Sequence, residues 1–217
     1  MPKGRPDFSP CAIYERFDFI EAMVDLSEAD AERCKRWFSG QPRLVVWDFD
    51  LTILNCHAFG EGVEVAHVAG RWQADVRDAD LFRAFVDTAQ VLGVSVGIAS
   101  YGRREVIAEY MDQIFAGRDP VPFSVVTNII TPAALGLPDG TSVPSGKSQM
   151  LKLLCERLSP AIEDPSAVLF FDDDGENVRD CQRAGFRHAI HTPAGFSKAA
   201  LISLEAAGHS SSTCAVS

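Results

Sequence analysis

The chain has 217 residues, 47% of them hydrophobic, enough for one full core with a small appendage. A net charge of -10 and a pI near 4.9 exclude nucleic acid as a general partner, because an acidic surface repels a phosphate backbone. Small phosphorylated substrates stay open to such a protein, since a bound metal reverses the local sign.

The first ten residues are proline-rich and expected to be loose, and they lead into no apolar stretch of signal-peptide type. No apolar run approaches membrane-spanning length, so no membrane is expected as a partner. Six cysteines without a CxxC pair or zinc spacing read as reduced thiols in a soluble, cytoplasmic protein. Between residues 12 and 38 apolar side chains recur at helical spacing: Ile13, Phe17, Ile20, Met23 and Val24, then Cys34, Trp37 and Phe38. Ser27 with Asp30 three residues on has the form of a second helix start, and Gly40 and Pro42 close the stretch. Residues 1–42 are therefore expected to be a helical segment packed on the core, not a domain of their own.

Leu44-Val45-Val46-Trp47 reads as a strand buried on both faces, as in a parallel sheet. It ends in Asp48 and Asp50, one residue apart, followed by Thr52. Strand alternation puts the two carboxylates on one side of the chain, where they repel, so that one stays protonated unless a cation sits between them. Residues 55–74 have poor helical period and are expected to form a loop with a hairpin above the aspartates. An amphipathic helix over 78–92 stops at Gly93, and a strand over 94–100 ends in the hydroxyl of Ser100. Tyr101-Gly102-Arg103 turns into a helix carrying Val106, Ile107, Tyr110, Met111, Ile114 and Phe115. A short third strand is expected over 123–128, then a long irregular loop over 129–146. Lys147 opens a further helix, and residues 167–171 form a fourth strand that ends in Asp172-Asp173-Asp174. A short helix (176–184), a fifth strand (186–190) and a last helix (197–206) follow, with a small polar tail over 208–217 expected to be disordered.

Strands alternating with helices predict an α/β fold: a doubly wound, three-layer α/β/α arrangement on a mainly parallel sheet. Ligands of such sheets sit beyond the carboxyl ends of the strands. The unusual polar residues lie at those ends. Three adjacent carboxylates at one strand end are mutually destabilising, and a hard divalent cation relieves them. Helix capping by Asp172 or Asp174 accounts for one of the three at most. A strand-end serine alone reads as a cap and a helix-start lysine as a solvated charge. Together with two acid clusters they form a set for phosphoryl chemistry: a carboxylate nucleophile, a second carboxyl to move the proton, a hydroxyl and an ammonium on the phosphate, and Mg²⁺.

Asp48-Phe49-Asp50-Leu51-Thr52 resembles the DxDxT signature of the haloacid-dehalogenase-like (HAD) phosphohydrolases. Ser100 after Gly97-Ile98-Ala99 resembles their second motif, Lys147 their third and Phe171-Asp172-Asp173 their acidic fourth. The likeness covers roughly residues 43–195 and is greatest to the magnesium-dependent phosphatase group, which has a minimal cap. The resemblance implies a catalytic domain over 43–207 with a flap at about 55–74. It implies Asp48 as nucleophile and Mg²⁺ ligand, Asp50 as general acid/base with its carbonyl on the metal, and Thr52 as a brace. Ser100 and Lys147 would bind phosphate. Asp172 and Asp173 both fall at the metal, and the group's pattern favours Asp173 as the direct ligand. In that group an arginine directly follows the second-motif hydroxyl. Here Tyr101-Gly102 intervene, so either Arg103 reaches substrate or Tyr101 takes over the contact.

The implied activity is Mg²⁺-dependent hydrolysis of phosphate monoesters through an aspartyl-phosphate. The substrate is a phosphorylated small molecule, such as a sugar phosphate, or a phosphotyrosine or other phosphoprotein. A receiver-like phosphoacceptor or binding module without turnover is the alternative, but receivers lack an acid two residues after the phosphorylated aspartate. Cys56 and His57 lie near the entrance. Cys56 reads as a small hydrophobe, and His57 as exposed but within reach of substrate.

Overall fold

The computed structural model describes residues 28–207. The expected first helix, the helix-start signal at Ser27 and the expected disordered tail lie outside them. Five strands, β1 (Leu44–Trp47), β2 (Ser95–Ala99), β3 (Ile129–Ile130), β4 (Val168–Asp172) and β5 (His188–His191), alternate with helices. The main helices are α1 (Glu28–Phe38), α2 (Ala79–Val91), α3 (Arg104–Ile114), α4 (Lys147–Arg157), α5 (Gly175–Arg183) and α6 (Lys198–Ala206). The sheet runs β3-β2-β1-β4-β5, and all four pairings are parallel. This is the three-layer α/β architecture expected from the strand–helix alternation.

β1 is central, which is why all four of its residues are apolar and buried. Its period of two divides them between two cores. Val45 and Trp47 face a layer built by α1, α2, α3 and α6, while Leu44 and Val46 face one built by α4 and α5. Trp47 is the hub of the first layer, with ring centroids at 5.2 Å from Phe82, 5.9 Å from Phe85 and 5.7 Å from Phe196. Trp37 of α1 stands edge-on to Phe171 of β4 at 5.4 Å, so this helix packs on the sheet.

The chain winds from β1 outward to β2 and β3, then crosses back to β4 and β5 on the other side. Strand order therefore reverses between β1 and β4. Such a switch point opens a crevice at the carboxyl ends of the strands. Asp48 follows β1 there, and Asp172–Asp174 end β4.

Two segments differ from expectation. The stretch 123–128 is not a strand. Asn128 folds it into a turn: its Oδ1 accepts from Ser124 N–H at 2.7 Å, and its Nδ2 donates to the carbonyls of Val96 and Pro122 at 2.9 and 2.8 Å. β3 begins only after that turn, within the expected irregular loop, and Val126 is left 75% exposed. The stretch 55–74 is not a hairpin either. One antiparallel bridge, Leu54 to Val76, closes its base, and the interior holds two single helical turns, Val65–Val68 and Trp72–Asp75. Asp75 holds them down. It is buried, accepts from Tyr110 of α3, and pairs with Arg71, which also reaches Glu61 at 2.9 Å.

Candidate functional site

β1 delivers Asp48 into the switch-point crevice, and Asp48 N–H still extends the ladder by donating to Phe171 O at 2.8 Å. The chain then leaves the sheet. Phe49–Ile53 forms a tight turn in which Leu51 takes a left-handed φ of 60°. A leucine there is strained by about 1–2 kcal/mol. Arg77 supports the turn by donating to the carbonyls of Leu51 at 3.2 Å and Leu54 at 3.4 Å. Because of this turn, Asp48 and Asp50 do not share a side as strand alternation predicts. Asp48 faces across to β4. Asp50 faces the flap, where its carboxylate accepts from Ala58 N–H at 3.1 Å and lies 3.1 Å from His57 Nδ1.

The triple aspartate divides by role. Asp174 caps α5, accepting from Glu176 N–H at 2.7 Å. Asp172 is fully buried and receives Lys147 Nζ at 2.8 Å, Asp174 N–H at 2.8 Å and Asn177 Nδ2 at 3.2 Å. Asp173 is half-buried and meets Thr52. The Thr52 hydroxyl accepts from Asp173 N–H at 3.0 Å and lies 3.1 Å from Asp173 Oδ1 and 3.3 Å from Asp48 Oδ2. Carboxylate oxygens of Asp48, Asp172 and Asp173 come within 4.8 Å of one another. All the donors are hard oxygens, a set suited to Mg²⁺.

Lys147 begins α4 and enters from the third side. It is 2% exposed and bonds the carboxylates of both Asp48 and Asp172. The Tyr101 ring covers its ammonium at 5.3 Å, and the Tyr101 hydroxyl reaches Asn177 Oδ1 at 3.4 Å. Ser100, at the end of β2, is also buried. Gly102 N–H donates to its Oγ at 3.1 Å, leaving the hydroxyl proton free to donate onward.

Electrostatics follow from this packing. Burial pushes Asp48 well above the usual carboxylate range; Lys147 opposes the shift, while Asp172 and Asp173 add to it. Burial also works against the charge of Lys147, but Asp172 and Asp48 outweigh it and hold its pKa above the ordinary lysine value. Three carboxylates face a single ammonium, and that excess of negative charge acts with burial to raise Asp48. Asp50 is likewise raised by burial, with His57 and the Phe59 and Ala58 amides opposing.

Arg103 does not reach the Lys147 cluster. Its Nη2 donates to the Val63 carbonyl of the flap at 2.6 Å, so the position next to the lysine is held by Tyr101. Cys56 is half-buried, and burial with nearby Asp75 and Glu61 pushes its thiol to about 11, away from nucleophilic use. His57 is exposed yet touches Asp50. Sequence reading missed Arg77, Phe59 and Gly140. Phe59 of the flap lies over Gly140, where φ is 79° and a Cβ would run into the ring; Gly140 N–H donates to Tyr101 O at 2.6 Å. Nothing in the local pattern marks these three, because each acts on a segment distant in the chain.

Among the described residues, Cys56, Cys155 and Cys181 are free thiols, and no helix is long and apolar enough to cross a membrane. No protein-family model matches the chain, and no curated protein matches it. The functional reading therefore rests on the residues themselves.

Proposed function

We propose that the protein is a Mg²⁺-dependent phosphatase of the HAD type, hydrolysing phosphate monoesters through an aspartyl-phosphate on Asp48. One observation carries the reading. At the switch point of a parallel sheet, Asp48 meets Lys147, Asp172 and Asp173, while a second, half-buried carboxyl, Asp50, stands two residues on in a separate setting.

Asp48 and Asp173, with the main-chain carbonyl of Asp50, would hold Mg²⁺, and Asp172 would support them through Lys147. Asp172 has its oxygens committed to Lys147, Asn177 and the Asp174 amide, which favours Asp173 as the direct ligand. Once bound, the cation would neutralise the clustered carboxylates and polarise the phosphoryl oxygens.

In the first step a carboxylate oxygen of Asp48 attacks phosphorus and the bond from phosphorus to the ester oxygen breaks. Asp50 gives its proton to the departing oxygen. Ser100 Oγ and Lys147 Nζ hold the phosphoryl oxygens, with Thr52 keeping Asp48 in line. In the second step water attacks phosphorus and yields its proton to Asp50. The bond to Asp48 breaks, releasing inorganic phosphate and restoring both aspartates. The raised pKa of Asp50 suits the first step, which needs the proton present.

The substrate class is a phosphorylated small molecule or a phosphoprotein. The test is hydrolysis of p-nitrophenyl phosphate by purified protein. Turnover is expected with Mg²⁺, is lost in EDTA, and is abolished by Asp48→Asn. Full activity in Asp48→Asn would overturn the mechanism. A phosphoryl adduct stable for minutes without turnover would overturn it in favour of a phosphoacceptor.

A further inference from the structure

Among the described residues, the Asp50 carboxylate takes all its hydrogen-bond and ion-pair partners from the flap. Ala58 N–H donates to Oδ1 at 3.1 Å, Phe59 N–H approaches Oδ2 at 3.5 Å, and His57 Nδ1 lies 3.1 Å from Oδ2. The placement of this carboxyl is therefore set by residues 57–59 and not by the strand it follows. Those residues open a compact turn, in which the N–H groups of Glu61, Gly62 and Val63 donate back to the carbonyls of His57, Phe59 and Ala58. Arg103 bonds the Val63 carbonyl and ties that turn to the start of α3.

The Phe59 ring joins the flap to a second segment. It rests on Gly140 so closely that a Cβ there would lie 1.9 Å from Phe59 Cζ and 2.4 and 2.7 Å from its Cε atoms. Any side chain at 140 would displace the ring, and with φ at 79° it would be strained besides. Gly140 N–H in turn donates to Tyr101 O at 2.6 Å, one residue past Ser100. A continuous path of contacts thus runs from Asp50 through the flap amides, the Phe59 ring and Gly140 to the Tyr101 carbonyl. It ties the carboxyl proposed to move the proton to the turn that follows the hydroxyl proposed to hold the phosphate.

We propose that Phe59, seated on Gly140, is a positioning residue for Asp50: it fixes the flap amides, and through them the carboxyl, relative to Ser100. This inference rests on the phosphatase reading. A carboxyl passes its proton only within hydrogen-bond reach of the departing oxygen, and a misplacement of about 1 Å costs up to about a hundredfold in rate. Loosening the seat therefore acts on the step that needs the Asp50 proton, and most on esters whose leaving oxygen needs that proton most.

Phenyl phosphate and p-nitrophenyl phosphate test it, since both release a phenol but the unsubstituted phenolate is much the stronger base and depends more on the proton. Phe59 is 37% exposed, so Phe59→Ala leaves the core intact. In that variant the ratio of kcat/KM for phenyl phosphate to that for p-nitrophenyl phosphate should fall about tenfold. Gly140→Ala, by pushing the ring off its seat, should lower the same ratio, and should change it no further in Phe59→Ala, where there is no ring to displace. A second readout needs no substrate. The backbone strain of alanine at 140 is common to both backgrounds, so the fall in Tm from Gly140→Ala, measured in EDTA, should be larger in the wild type than in Phe59→Ala. An unchanged ratio in Phe59→Ala, or equal effects of Gly140→Ala in both backgrounds, overturns the positioning role and leaves the phosphatase reading intact. Absence of hydrolysis of both esters by the wild type overturns both.

Discussion

Replacing Lys147 by methionine tests the electrostatic core of the site without any substrate. Methionine keeps most of the length and apolar bulk of the lysine stem but removes an ammonium that is 2% exposed. That ammonium bonds Asp48 and lies 2.8 Å from Asp172. At an effective dielectric of about 20, one such contact is worth about 6 kcal/mol before desolvation is counted. The expected loss is smaller, because it reflects the cost of leaving two buried carboxylates unpaired. For a broken buried pair that cost is about 3–5 kcal/mol. Spread over a domain of this size it lowers Tm by about 6–20 °C. Guanidinium unfolding in EDTA at pH 7, followed by tryptophan fluorescence, reads it directly. The pH dependence has a defined sign. The raised lysine pKa means the wild-type contribution is fully present below the unfolded value of about 10.4, so it is flat from pH 5 to 9. In Lys147→Met the group that opposes the upward shift of Asp48 is gone, the folded state binds more protons than the unfolded one, and stability falls as pH rises above about 4. The deficit against wild type should therefore shrink as pH is lowered towards 4. A loss under about 1 kcal/mol, or a deficit that does not change with pH, would refute this account of the cluster.

Two further outcomes follow from the same geometry. Mg²⁺ added to EDTA-stripped protein should raise Tm, by the equivalent of about 2.7 kcal/mol at a hundredfold excess over Kd. The gain should be larger at pH 8 than at pH 5, because the raised pKa of Asp48 makes protons compete with the metal; equal gains at both would contradict that. Thr52→Val removes the acceptor of Asp173 N–H and the link to Asp48, which should cost about 1–3 kcal/mol and weaken Mg²⁺ binding about 10–100-fold, as read by calorimetry.

What was legible in the sequence was whatever local chemistry determines. A run of four apolar residues at 44–47 has only one setting in an α/β chain, the centre of a parallel sheet, and β1 has those bounds. Asp174 as a cap was open to sequence reading, because its partner is two residues away. The flap was not legible, because Tyr110 and Asp75, 35 residues apart, hold together turns with no helical period of their own. β3 was misplaced for a similar reason: Asn128 satisfies backbone groups at 96, 122 and 124 with its side chain, and that network displaces the strand. The sequence could group Asp48, Ser100, Lys147 and Asp172–Asp173 by their positions at strand and helix ends. It could not show that Tyr101 rather than Arg103 lies on the lysine, since both sit in one turn and only the path of that turn separates them.

The turn at Leu51 matters most for the two aspartates. Had the strand continued, Asp48 and Asp50 would lie side by side and share whatever charge lay near. The turn over Phe49–Ile53, entered at a helical Phe49, leaves Asp50 with the flap amides and Asp48 with Lys147, Asp172 and Asp173. Burial raises both carboxyls; at Asp48 Lys147 opposes the shift, while Asp172 and Asp173 add to it. A divalent cation among those three carboxylates acts mostly on Asp48, whose oxygens are part of the cluster, and less on Asp50, whose carboxylate is turned to the flap. On the proposed mechanism a bound cation would favour the ionised form of Asp48, which attack on phosphorus needs, and would act less on Asp50, whose burial favours the protonated form that the leaving group needs.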